Sequence, residues 1–206
     1  MKWDKIFIVL AIAGFFFNLA LGMQTTVHMN YVSQEIGLTA DKIGLLDGIR
    51  EIPGLLTAVL AMAALFFTES ILAAICLVAV SLGLLIYGQA VGFDGIVIGT
   101  LVMSLGFHLY FPVQSSILLR TSAPNERGRR LGTLNSIAAA ATVCASLLVR
   151  WLAPLSGMRS IIFWAAAMAL VGAGVQAVAR RSDKVNIRRG MVFKWSYKSY
   201  YGLTLL

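Results

Sequence analysis

Residues 6–34 read IFIVLAIAGFFFNLALGMQTTVHMNYVSQ, a run without a single Asp, Glu, Lys or Arg. A helix needs roughly 20 apolar residues to cross the hydrocarbon core of a bilayer. This run is long enough. It is also longer than the apolar region of a secretory signal, although Lys2 and Lys5 precede it as they would in one. It reads as a first, uncleaved transmembrane helix, with Asn18 near its middle and Gln24, Thr25 and Thr26 toward its far end.

The same test can be carried outward from this run. Between charged residues the chain offers further apolar runs at Ile52–Thr68, Ser70–Phe93, Gly95–Leu119, Leu131–Val149 and Ser160–Ala179. The second run reaches full length only if it is extended back to Ile43, and it then includes Asp47, Arg50 and Glu51. The expected helices span about 6–27, 43–67, 70–91, 95–119, 131–152 and 160–179. The runs are continuous and do not alternate with period two, which argues against a β-barrel. Composition agrees. Of 206 residues, 59% are hydrophobic and 13% charged, against about a quarter charged in soluble domains.

The charges give direction. Basic residues near helix ends stay in the cytoplasm. With the N-terminus inside, the segments 1–5, 67–70, 120–130 and 180–198 hold 13 of the 17 basic residues. The net charge of +8 is therefore mostly topogenic, and nucleic acid is not an expected partner. The expected location is the plasma (inner) membrane, multi-pass, with lipid as the surrounding solvent. Cys76 and Cys144 lie inside apolar runs, without metal-ligand spacing or a disulfide framework.

Polar residues inside a membrane are costly and mark function unless paired. Asp47, Arg50 and Glu51 stand at i, i+3 and i+4, so they share one stripe. Gly54, Ala58 and Ala61 continue that stripe with small residues suited to close packing. Pro53 is expected to kink or break the helix near Ile52. Asp47 can pair with Arg50, which leaves Glu51 as a surplus carboxylate able to carry a proton. The trio reads as a gating or packing cluster, as a direct substrate or proton contact, or as an outer salt-bridge group reaching for water. On helix 4, Thr100, Ser104 and His108 recur every four residues and share a face with Phe111, while Gln114 adds polarity near the inner end. On helix 5, Gly132, Ser136 and Ala140 form a small-xxx-small packing pattern. Helices 3 and 6 are the poorest in polar groups. No GxSxG, HExxH or P-loop occurs, so no catalytic residue, cofactor or metal is expected.

Six helices with both ends cytoplasmic, followed by a long basic connection, resemble one half of the major facilitator superfamily of secondary transporters. The loop Pro124-Asn125-Glu126-Arg127-Gly128-Arg129-Arg130-Leu131-Gly132 is similar to that family's helix 4–5 connection. The family's signature between helices 2 and 3 corresponds here to Phe67-Thr68-Glu69-Ser70, which lacks its glycine and basic residues; Glu69 stands where an acidic group is expected. The resemblance implies an all-α membrane fold, a half bundle of 3+3 helix repeats. Helices 1 and 4 would line a central cavity, helices 2 and 5 would gate it, and helices 3 and 6 would face outward. On this reading residues 1–179 form the bundle, 180–198 a basic interfacial segment, and 199–206 the truncated start of a seventh helix.

The expected function is a secondary active transporter half that moves a small solute by alternating access, with proton coupling an option. A missing C-terminal half or a second copy would complete it. Candidate path residues are Asn18, Asp47, Arg50, Glu51, His108 and Gln114. Candidate gating or packing residues are Pro53, Gly54, Glu69, Arg127 and Arg130. A six-helix channel or structural subunit, and a membrane-embedded enzyme, stand as alternatives.

Overall fold

The computed structural model describes residues 4–57 and 67–178. The expected interfacial segment and seventh-helix start lie outside them, as do Ala58 and Ala61. Six α-helices fill the described residues: α1 (Lys5–Asn30), α2 (Ala40–Leu55), α3 (Glu69–Gln89), α4 (Phe93–Thr121), α5 (Arg127–Ser156) and α6 (Met158–Val178). All but α2 are long and apolar enough to cross a membrane. The apolar run that would continue α2, residues 58–66, is not described.

Local chemistry sets the helix ends. The carboxylate of Asp4 accepts the Phe7 amide at 2.8 Å and caps α1. The hydroxyl of Thr68 accepts the Ile71 amide at 3.3 Å and caps α3. At its far end α1 does not stop near residue 27. It runs on through a π-helical turn, Tyr31–Glu35, and ends before Gly37, whose φ of +76° favours glycine. Packing explains the extension. Tyr31 is fully buried, and its hydroxyl donates to the carbonyls of Tyr87 and Gly88 at 3.3 and 3.2 Å. These are last-turn carbonyls of α3, beyond the regular helical ladder, and that of Tyr87 also accepts the Ala90 amide at 3.3 Å. The α5–α6 connection is also shorter than expected: Gly157 alone, at φ +79°, separates the two helices.

The helices pack in the order α2–α4–α3–α6–α1–α5. Exchanging α1, α2 and α3 with α4, α5 and α6 reproduces this order in reverse, as an inverted 3+3 repeat requires. Side chains at the helix ends follow the same exchange. Lys42 at the start of α2 lies 5.9 Å over the ring of Phe93 at the start of α4, and Arg130 at the start of α5 lies 5.5 Å over Phe7 at the start of α1. Glu69 at the start of α3 pairs with Arg120 near the end of α4 at 2.9 Å. Arg159 at the start of α6 reaches Glu35 at the end of the α1 extension at 3.9 Å.

Glycine makes the α3–α4 seam tight. A side chain at Gly83 would collide with the Met103 backbone, one at Gly106 with the Cys76 carbonyl, and one at Gly99 would come within 2.5 Å of the Tyr87 nitrogen. Close backbone approach of this kind drives helix association where lipid removes the hydrophobic incentive. Across α3–α6, the Ser81 hydroxyl donates to the Ala166 carbonyl at 2.8 Å. The outer faces of these two helices carry exposed apolar stripes, Ile75, Val78 and Leu82 on α3 and Leu170 and Val171 on α6.

By contrast, α5 is the least buried of the candidate spans. It meets α1 along one stripe, Leu134, Ala141, Ala145 and Val149, with Gly22 of α1 set against Ala145. The Gly132–Ser136–Ala140 face expected to pack is exposed.

Candidate functional site

Packing of α2 on α4, with the outer part of α1 beside them, brings the ionisable residues into one row. Arg50 sits at its centre, 3.3 Å from Asp47 and 3.0 Å from Glu51. Asp47 reaches back to His28 of α1 at 3.5 Å, and Glu51 reaches forward to His108 of α4 at 3.5 Å. Beyond His28 the row is fixed by Tyr87 of α3, whose hydroxyl lies 2.7 Å from His28 Nδ1, and by Gln24 at 3.3 Å. The row thus alternates imidazole, carboxylate, guanidinium, carboxylate, imidazole across three helices.

Two backbone features position it. The hydroxyl of Ser104 donates to the Arg50 carbonyl and ties α4 to α2 at the level of the row. Gly54 leaves room for the neighbouring imidazole: a Cβ there would stand 2.8 Å from His108 Cε1. Pro53 does not break α2 at Ile52. The helix carries it internally and leaves regular geometry only at Leu56, because a proline lacks just one donor and its own carbonyl still serves the turn, here accepting the Thr57 hydroxyl at 3.3 Å. Pro112, within α4, withdraws the ordinary helical donor from the His108 carbonyl.

The row borders a cleft of 540 Å³ between α1, α2 and α4, whose other walls include Leu21, Thr25, Ser104, Phe107 and Phe111. This is within the usual range for small-molecule sites, about 300–1,000 Å³. A larger concavity of 880 Å³ lies over the α3–α4 turn. Its walls include the outward-facing Leu82 and Leu85 and none of the row, so the smaller cleft is the chemically equipped one.

Asn18 and Gln114 do not join the row. They line a separate cavity of 50 Å³ between α1, α4 and α5, together with Ser115 and Asn135. Asn18 donates to the Gly14 carbonyl at 2.8 Å, and Gln114 to the Leu10 carbonyl and Tyr110 hydroxyl, each at 3.3 Å. Phe111 borders both spaces. It belongs to an aromatic cluster with Phe17 and Phe107, each with its centroid 5.3 Å from that of Phe111.

Glu69, Arg127 and Arg130 lie at the other ends of the helices. Glu69 accepts the Ser116 hydroxyl at 2.6 Å besides its pairing with Arg120. Arg130 is buried between Asp4 and Glu126, the latter at 3.0 Å. Burial raises the Asp4 pKa, but the Phe7 amide and the Arg130 guanidinium outweigh it and hold the carboxyl below its ordinary value. Arg127 is exposed at the first position of α5.

Sequence reasoning missed His28 as a site residue. The available signal was its spacing of four from Gln24 and its position near the same end of the bundle as the helix 2 trio. Among the described residues no cluster of His, Cys, Asp and Glu is arranged to hold a metal.

Comparison with known proteins places this geometry. No curated protein matches the chain. Among solved structures, the chain superposes on the crystal structure of nucleoside transporter NupG with a TM-score of 0.75, at 14% identity, over 98% of this chain and 51% of that one. The chain thus spans about half the length of the transporter whose fold it shares. Residues 6–190 match the sequence pattern of the Major Facilitator Superfamily, and with a half-bundle of inverted repeats around a polar cleft, this chain belongs to that superfamily.

Proposed function

We propose that the chain is the N-terminal-type half of a secondary active transporter, working by alternating access on a small solute. One observation carries this reading: five ionisable side chains from α1, α2 and α4 converge beside a cleft within a bundle of otherwise apolar helices. Intramembrane charge is expensive and is kept where it does work. In transporters built from inverted repeats that work lies near the midplane, between two halves.

The exposed face of α5 supports the need for a partner. Asn135, Ser136, Thr142 and Ser146 are exposed beside small residues on a helix that hydropathy places in the membrane. A second six-helix unit, either further chain or a second copy, covers that face and closes the cleft. The Phe17–Phe107–Phe111 cluster is then the occluding layer between the row and the smaller cavity at Asn18 and Gln114. Glu51 and its histidine neighbour carry the coupling proton. On this reading the Asp4–Arg130–Glu126 group and the Glu69–Arg120 pair, on the basic side, face the cytoplasm, with the N-terminus inside and the bundle in the plasma membrane.

A histidine–carboxylate pair such as His108–Glu51 also suits general acid–base chemistry. The transporter reading is preferred because the family and the fold neighbour are both of that kind.

The test is flux in proteoliposomes combined with subunit counting. A proton gradient or a solute panel should drive flux only in particles that contain two six-helix units. Flux carried by a strictly monomeric six-helix chain would contradict the half-transporter reading.

A further inference from the structure

The charge of the row narrows what the cleft can accept. Two carboxylates, Asp47 and Glu51, share one guanidinium, Arg50. With both imidazoles neutral the row carries one surplus negative charge. Arg50 is already engaged on both sides, so an anionic solute would add a third negative group to a single cation. Glu51 is the outward member: its side chain is 56% exposed, and it lines the cleft, while Asp47 does not. The same cleft is lined by Phe107 and Phe111, rings edge to face at 5.3 Å, the latter 40% exposed. A carboxylate and aromatic rings lining one cleft both attract a cation, by charge and by the ring quadrupole.

Resting on the transporter reading above, we propose that the solute is a monovalent organic cation bearing an aromatic or compact apolar group, and that it exchanges with protons at this row. The ammonium centre sits against Glu51 and the apolar part against Phe107 and Phe111. The exchange follows from the other groups that face the row: His28 and Gln24 on α1, Tyr87 on α3, His108 on α4. Tyr87 and Gln24 stay neutral. Imidazoles titrate between pH 5 and 8. A proton added to the row cancels its surplus negative charge, and the cation is released. Protons and cation therefore compete for one surplus charge, with no bond made or broken beyond proton transfer.

The test uses the 206-residue chain in nanodiscs of zwitterionic lipid, with empty nanodiscs as the reference. Binding of benzyltrimethylammonium is measured by titration calorimetry, beside benzyl alcohol and phenylacetate as neutral and anionic probes carrying the same ring. The cation alone should bind at pH 8, and its affinity should fall about tenfold or more by pH 5.5 as the charge pairing is lost. Glu51→Gln should cost at least about tenfold, and Glu51→Asp should retain part of the binding. The pH comparison needs no variant, so it decides even if Glu51→Gln does not fold. Phenylacetate binding as tightly as the cation, no cation binding above empty nanodiscs, or cation binding indifferent to pH would each overturn the proposal. The two readings fail separately. Cation binding without flux in any assembly leaves this site standing and removes the transporter; flux of an anionic or neutral solute that the cation does not inhibit does the reverse.

Discussion

Helix α4 has two faces that obey different rules. On the α3 side, Gly99 and Gly106 bring backbones together and nothing larger fits. On the α2 side, Ser104, His108 and Phe111 border a cleft, and His108 touches the partly exposed Glu51. The first face holds the half-bundle as a rigid body. The second keeps polar groups available at some cost in packing. Under the proposed function, stability and transport are carried by opposite sides of a single helix, and substitutions should sort accordingly.

The largest effect is expected at the tight face. Gly83→Leu drives a side chain into the Met103 backbone, which cannot yield as a flexible side chain can. A loss of about 3 kcal/mol or more is expected, read as a collapse of folded yield in detergent and of the melting midpoint. A stable Gly83→Leu protein would show that the seam is looser than described.

The next effect belongs to the other face. At Gly54→Ala the new methyl meets the edge of the His108 ring, which can swing away. Folding should change by less than about 1 kcal/mol, while ligand binding or flux falls about tenfold as the imidazole leaves Glu51. Equal losses in melting and activity would break the division between the faces.

A third test lies away from both faces, at the Asp4–Arg130 contact. The Asp4 carboxyl is depressed below 3.8 in the folded chain, so its contribution is fully present above that pH and is lost as pH falls through the lower folded value. Asp4 is 41% exposed, and solvent screening limits the contribution to about 1 kcal/mol. Melting curves between pH 7 and pH 3 should show an acid-side loss that Asp4→Asn removes, because the variant is already lower at neutral pH. The smallest effect is expected for Ser104→Ala, which deletes one hydrogen bond to the Arg50 carbonyl, worth about 0.6 kcal/mol inside a membrane.

Much of the fold was legible because membrane spans announce themselves by length and apolarity alone. The charged trio was legible for the same reason in reverse: Asp47, Arg50 and Glu51 interrupt such a span. What could not be read was partnership between distant segments. His28 sits at the polar end of the first run and looks like an interfacial residue until α2 folds against it. Asn18 and Gln114 read as path residues beside the trio; they line a separate cavity, where Asn18 bonds the Gly14 carbonyl of its own helix and Gln114 reaches across to the Leu10 carbonyl of α1. The Gly132–Ser136–Ala140 stripe on α5 read as a packing face, yet it is exposed. The helix's intramolecular contact runs along Ala141 and Ala145 instead, because Gly22 of α1 offers the closer approach there. The π-helical extension depends on Tyr31 finding the end of α3, a contact made 56 residues away in sequence.

The central claim is that the ionisable row serves transport and not the integrity of the bundle. It is tested most directly by proton flux through a two-unit assembly carrying Glu51→Gln, with its melting midpoint followed in the same preparation. The account predicts that flux is lost while melting stays within a few degrees of the unmodified chain. Flux at the unmodified rate with Glu51 neutralised would contradict it.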